Sequence, residues 1–150
     1  MRRRRTDLGR RRGPGAGLAA LVLLAWGCGD APLPTALEPA ADQGAPVYTA
    51  SGVFQRLGYP ASGRATYTLD AAGVAALSFD ASFSVPEVPR VWVFLSDDGR
   101  IQSGVRVGAL ASPAGAQRWT FRVPRGAVWR WAVLWSEELR VDVARARLSP

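Results

Sequence analysis

The chain predicts an all-β fold, a single antiparallel β-sandwich of about eight strands behind an export signal and a disordered tether. Three observations carry this. From Val47 onward, short β-prone runs alternate with glycine, proline and aspartate turn signals at the spacing of a sandwich. No amphipathic helix of three turns can be drawn after the signal. About 100 residues remain for the domain, enough for a real core.

The first element is the signal. Seven of the 19 basic residues fall in the first twelve positions, and an eleven-residue apolar stretch, Ala16 to Trp26, follows them. A charged start, an apolar middle and a small residue at Gly27 make the secretory pattern, residues 1–27. A spanning helix needs ~20 apolar residues, so this stretch is too short for one. The arginine pairs permit either the general or the twin-arginine route.

Cys28, the sole cysteine, comes directly after that stretch. The junction resembles the lipobox of bacterial lipoproteins, whose cysteine becomes the lipidated first mature residue. Gly27 fits it, while Ala25 and Trp26 depart from the preferred pattern. Ordinary cleavage after Gly27, giving a secreted or periplasmic soluble protein, is the alternative. Cys28 has no second cysteine to pair with and no histidine to share a metal. The expectation is therefore a bacterial envelope protein held to a membrane by a lipid on Cys28.

Residues 28–46 hold this cysteine and a linker with Pro32, Pro34, Pro39 and Pro46. Little hydrophobic periodicity remains there, and the reading is a disordered or polyproline-like tether. Seventeen residues at ~3.1 Å each would hold a domain up to roughly 50 Å from the membrane.

The domain, residues 47–150, follows. SGVFQRLGYPASGRATYTLD suggests two strands, broken at Gly58-Tyr59-Pro60 and Ser62-Gly63. Val74 to Phe79 returns after an Ala-Ala-Gly turn. Val91 to Leu95 is continuously apolar, as in a strand buried on both faces. Asp97-Asp98-Gly99 is a turn tripeptide, with Asp98-Gly99 a hairpin dipeptide and no calcium-loop spacing. Gly104 to Leu110, Gln117 to Val123, Val128 to Ser136 and Leu139 to Leu148 complete the strands.

VWRWAVLWS places Trp129, Trp131, Val133 and Trp135 on one strand face, with Ala132, Leu134 and Ser136 on the other. Such an aromatic row is either core or a stacking surface. Core is the expectation for Trp131 and Trp135, and a rim position for Trp129.

Composition excludes several functions. After the signal, twelve arginines face eleven acids and there is no lysine, so no basic face is available to neutralise nucleic-acid phosphates. The absence of histidine removes the usual triads and zinc sets, and the absence of lysine removes Schiff-base chemistry. Carboxylate pairs remain, from Glu87, Asp97, Asp98, Glu137 and Glu138, but they sit at turns and strand breaks. The chain reads as non-enzymatic. No cofactor is expected: haem would need an axial ligand, and only Tyr48, Tyr59 and Tyr67 would remain to supply one.

Residues 52–148 resemble the electron-transfer DM-thirteen domain. The resemblance rests on Gly52-Val53-Phe54, Ser62-Gly63-Arg64-Ala65, LSFDASF at Leu77 to Phe83 and PRVWVFLS at Pro89 to Ser96. It continues through Val107-Gly108-Ala109-Leu110, Gly115-Ala116-Gln117, Val133-Leu134-Trp135-Ser136, and Val143, Ala146 and Leu148. The order and spacing of these pieces carry it. The cysteine proposed as that family's redox centre falls at Ser136, which has no thiolate chemistry. Arg90 stands where the family has an aspartate. The resemblance thus implies the fold without its thiol function. Two readings follow: an envelope-anchored binding or structural module whose partner is an envelope protein or glycan, or a redox accessory passing electrons through a bound cofactor or partner.

Overall fold

The computed structural model describes residues 34–150; the signal segment and Cys28 lie outside them. Eight strands form: β1 Pro46–Arg56, β2 Arg64–Asp70, β3 Val74–Phe79, β4 Val91–Ser96, β5 Val105–Ala109, β6 Gln117–Arg122, β7 Trp131–Ser136 and β8 Val141–Arg147. They pair antiparallel in the order β5-β4-β7-β8-β1-β2-β3-β6. The only helical turn among the described residues is a 3-10 turn, Ile101–Ser103, between β4 and β5. The all-β class and the strand number agree with the sequence reading.

One sheet makes two layers because β1 belongs to both. Pro46 to Val53 pair with β2, while Phe54 to Arg56 pair with β8. The strand changes partner between Val53 and Phe54, just after Gly52. A Cβ built on Gly52 would lie 1.9 Å from the Arg147 carbonyl oxygen, so no other residue fits without moving backbone. Layer one is β5-β4-β7-β8; layer two is β1-β2-β3-β6.

The core lies between the layers and follows the period of two. Ala65, Tyr67 and Leu69 point inward from β2, and Ala132, Leu134 and Ser136 from β7. Phe54, Phe79 and Phe83 cluster with ring centroids 4.7–5.2 Å apart. The Tyr67 hydroxyl donates to the Ala127 carbonyl at 2.9 Å, and burial pushes its phenol well above the usual range. Val93, Phe94 and Leu95 are all fully buried, as the unbroken apolar run of β4 requires.

The Asp98-Gly99 turn forms, but not as a two-residue hairpin. It leads into the 3-10 turn, so eight residues connect β4 to β5. The buried Ser96 hydroxyl accepts the N–H groups of Gly99 and Arg100, at 2.9 and 3.1 Å. The Asp98 carboxylate accepts from the Ser103 and Ser96 hydroxyls and the Arg100 N–H, which hold it below the usual carboxylate range.

The linker differs from expectation. Residues 35–40 are laid between the two edge strands, where a disordered tether was expected. Leu37 N–H donates to Arg106 of β5 at 2.9 Å, and Arg106 N–H donates to Thr35 at 3.2 Å. Ala40 N–H donates to Thr120 of β6 at 2.9 Å, and Arg122 N–H donates to Glu38 at 2.8 Å. The bridges are parallel to β5 and antiparallel to β6. The prolines suggested a free chain because they cannot donate. Here Pro39 is spared that task, since the donors are Leu37 and Ala40. Leu37 also packs on the core. Among the described residues, pairing with the sheet thus starts at Thr35, and this strap joins both sheet edges.

Asp70 secures the strap's far end. Its carboxylate accepts N–H groups from Gly44 at 2.8 Å, Ala72 at 2.9 Å and Val74 at 2.8 Å. These bonds, Val74's foremost, hold its pKa below the usual value. The folded state thus binds this proton less readily than the unfolded chain, so the contribution is full above the unfolded pKa of about 4 and lost as pH falls through the lower folded value. Asp70→Asn should lower the urea midpoint at pH 7. The gap from wild type should shrink as the pH is taken well below the usual carboxylate range. A gap independent of pH would contradict this account.

Candidate functional site

Ser136 ends β7 on its inward face and is fully buried. Its hydroxyl donates to the Pro89 carbonyl at 2.7 Å and accepts the Leu139 N–H at 3.2 Å. Burial and a backbone partner are what the alternation of β7 leads one to expect. The acceptor lies in the connection before β4, however, and not on a neighbouring strand. Glu137 N–H donates to Arg90 at 3.0 Å, so this clasp ties the β7 end to the β4 start. Arg90 itself sits at φ 48°, in the left-handed region. The Ser136 hydroxyl has structural work on both sides and no route to solvent.

The tryptophans divide differently from the sequence expectation. β7 begins at Trp131, so Trp129 lies in the preceding connection and does not share the strand's face. Its ring turns toward the main core and meets Tyr67 edge-on, 5.7 Å between centroids at 90°. Trp131 and Trp135 point out of layer one, away from the main core, and are half-buried. Core was expected for these two and a rim position for Trp129. The reason for the difference is that both faces of β7 are apolar, so periodicity alone does not say which face is inside.

Strand register builds the outer face of layer one. One cross-strand row runs Arg106, Phe94, Val133, Arg145 and Gln55. A second runs Ala109, Trp92, Trp135 and Asp142. A third runs Ser96, Trp131 and Arg147. Phe94 and Val133 are fully buried and Ile101 nearly so, covered by Trp92, Trp131 and Trp135. This is a second small core on the outside of a sheet.

Arginines close over it. The Arg106 guanidinium stands 4.6 Å from the Trp92 ring centroid. Arg145 and Arg147 stand 5.0 and 6.0 Å from Trp131. Each such contact is worth ~0.5–1 kcal/mol at exposed sites. The Trp92 indole N–H donates to Glu137 at 3.1 Å. The Arg145 Nε is buried and has no hydrogen-bond partner. The Asp142 carboxyl is raised by desolvation, against the opposing pull of Arg145. Among the described residues, neither Arg106 nor Arg147 has a carboxylate within 4.0 Å.

The outer face of layer two has the opposite character. Its rows are Thr49, Thr68, Ala76 and Thr120, then Ser51, Thr66, Ser78 and Arg118. Serine and threonine dominate these rows, and Arg64, Arg122 and the exposed Val53 continue the same face.

Of the candidate carboxylates, Glu87 and Glu137 line one cleft. Glu138 pairs with Arg90 at 3.9 Å on the surface, Glu137 holds Trp92, and Asp98 holds its turn. Among the described residues, no group of three His, Cys, Asp or Glu is placed to hold a metal. A shallow cleft of about 470 Å³ lies beside the Ser136 clasp, lined in part by Glu87, Arg90, Trp92, Leu110 and Glu137. Sequence reasoning had missed Trp92, Phe94, Arg106 and Arg145. The alternation of Trp92 and Phe94 against Val91, Val93 and Leu95 was the available signal. Comparison with family models, with curated proteins and with solved structures finds no match for this chain.

Two outcomes test this geometry. Phe94→Ala should cost about 3–5 kcal/mol, as for a fully buried ring, whereas Trp135→Ala should cost less, about 2 kcal/mol, since its ring is only partly buried. Equal losses in urea denaturation would place Trp135 in the core. Separately, Ser136→Cys in a Cys28→Ala background should give a thiol that reacts with a thiol reagent only on unfolding. Rapid labelling of the native protein would mean that the site is open.

Proposed function

We propose that this chain is a lipid-anchored, non-catalytic envelope module that binds an anionic partner through the outer face of layer one. The observation that supports this is the contrast between the two outer faces. One is mostly serine and threonine, with Arg64, Arg118 and Arg122 and the exposed Val47 and Val53 among them, and carries no indole. The other carries three half-buried indoles and three arginines on a hydrophobic floor. Aromatic residues and arginine are the types enriched where proteins meet partners. Arginines stacked on indoles lose little further freedom on binding, so they are prepared to meet carboxylate or phosphate.

The anchor belongs to the same proposal and rests on the position of Cys28 after Gly27 and the apolar stretch. In likeness to the DM-thirteen domain, PRVWVFLS falls on β4 with the connection before it, and VLWS on the end of β7, so the quoted motifs meet at the Ser136 clasp. The thiol function of that family does not carry over. The Ser136 hydroxyl has no redox couple and is committed to Pro89 and Leu139.

Fractionation tests the anchor, and sedimentation tests the face. The full chain should enter the membrane fraction, and Cys28→Ala should leave it for the soluble fraction. Unlipidated Cys28→Ala protein should still sediment with isolated envelope fragments. Trp131→Ala and Arg147→Ala should each weaken that binding several-fold, while Arg64→Ala, on the opposite layer, should not. Equal sedimentation by all of them would rule out the face as the binding surface.

A further inference from the structure

The strap changes where the anchor holds the domain. Only six residue steps separate Cys28 from Pro34, the first described residue. Fully extended they span about 20 Å. The strap then pairs at once with Arg106: the Thr35 carbonyl accepts its N–H, and its carbonyl accepts from Leu37. Arg106 is also the residue whose guanidinium covers Trp92. The chain therefore reaches the domain on the edge strand of the aromatic layer.

Its direction adds to this. The bridge between Ala36 and Arg106 is parallel, so residues before Ala36 lead back toward the Val105 end of β5. That end holds the third cross-strand row, Ser96, Trp131 and Arg147. On the proposal that Cys28 is lipidated, the bilayer lies within a short reach of Trp131, Arg145 and Arg147.

We infer that the partner of this face is the anionic phospholipid surface itself. Indoles favour the headgroup layer, where an apolar ring and a polar N–H are both accommodated. Arginines meet lipid phosphates with their forked donors. Trp131 and Trp135 lie four residues apart on β7, ~13 Å, a span that sets two rings on one plane. The threonine and serine face of layer two would then look away from the membrane. The lipid on Cys28 supplies one attachment and the face a second, which is how peripheral anchoring becomes stable. An acidic polysaccharide would satisfy the arginines equally. It has less use for indoles whose faces are already occupied by guanidinium groups at 4.6 and 5.0 Å.

This inference deepens the proposed function and depends on its binding face. The test uses the chain without residues 1–27 and with Cys28→Ala, so that no lipid is attached; all eight strands and the strap remain. It is mixed with protein-free vesicles of phosphatidylcholine, with and without phosphatidylglycerol. Co-sedimentation should require phosphatidylglycerol and weaken in high salt. Tryptophan fluorescence should be quenched by lipids brominated on their acyl chains. Arg106→Gln and Arg147→Gln should each lower partitioning roughly fivefold. Arg64→Gln should leave it unchanged, and melting curves should show all three variants folded. No binding to vesicles, while envelope fragments still bind, would overturn the membrane inference and leave the binding face standing. Binding to polygalacturonate but not to vesicles would overturn it in favour of a glycan. Loss of binding to both would remove the face as well.

Discussion

The crossing of β1 just after Gly52 is the constraint on which the rest of the molecule depends. An eight-stranded sheet with apolar side chains on one face must cover that face. It does so here by folding back on itself about a single strand. The crossing brings the β1 backbone against Arg147, close enough that even a methyl group would collide with its carbonyl oxygen. From this one contact follow the two layers, the phenylalanine cluster between them, and the outward aspect of every second residue on β7. The fold-back also leaves β5 and β6 as free edges. Unpaired edges invite pairing with other chains. The strap removes that exposure by pairing with both at once, parallel to one and antiparallel to the other.

The main core and the outer aromatic cluster differ in kind. The core is sealed by two layers and filled with alanine, valine, leucine and phenylalanine. The outer cluster is sealed only by its own tryptophans and arginines. Phe94 and Val133 are as fully buried as core residues, yet what lies above them is a set of side chains. Such a cover stabilises the sheet while keeping rings and guanidinium groups at the surface. The residues that seal this cluster are therefore also the ones its surface presents. The Arg145 Nε, buried without a partner, marks where packing has taken precedence over hydrogen bonding.

Much of the fold was legible in the residues. Turn signals marked the ends of most strands, and the apolar run of β4 announced burial on both faces. The alternation in β7 put Ser136 on one face with Ala132 and Leu134. Two features were not legible, each for a physical reason. The strap carries Pro34 and Pro39 and has no period, so composition spoke for disorder. Its order comes from the backbone groups of Thr35, Leu37, Glu38 and Ala40 meeting strand edges that only tertiary structure supplies. The outward aspect of Trp131 and Trp135 was hidden because Ala132 and Leu134 are also apolar. With both faces of a strand hydrophobic, the inside is chosen by neighbouring strands, and Ser96 and Ser136 do not betray it. Trp129 was misplaced by the two residues that separate it from the true start of β7.

The serine at position 136 links the fold to the function. A cysteine there would sit at the end of β7 among Val91, Pro89 and Leu139, enclosed by the clasp that holds β7 to β4. The serine hydroxyl serves that clasp better than a thiol would, because it donates and accepts stronger hydrogen bonds at shorter distance. The position is therefore part of the clasp that ties the end of β7 to the start of β4. The inside of β7 ends in a hydrogen-bonded clasp, and the outside of the same strand carries Trp131 and Trp135.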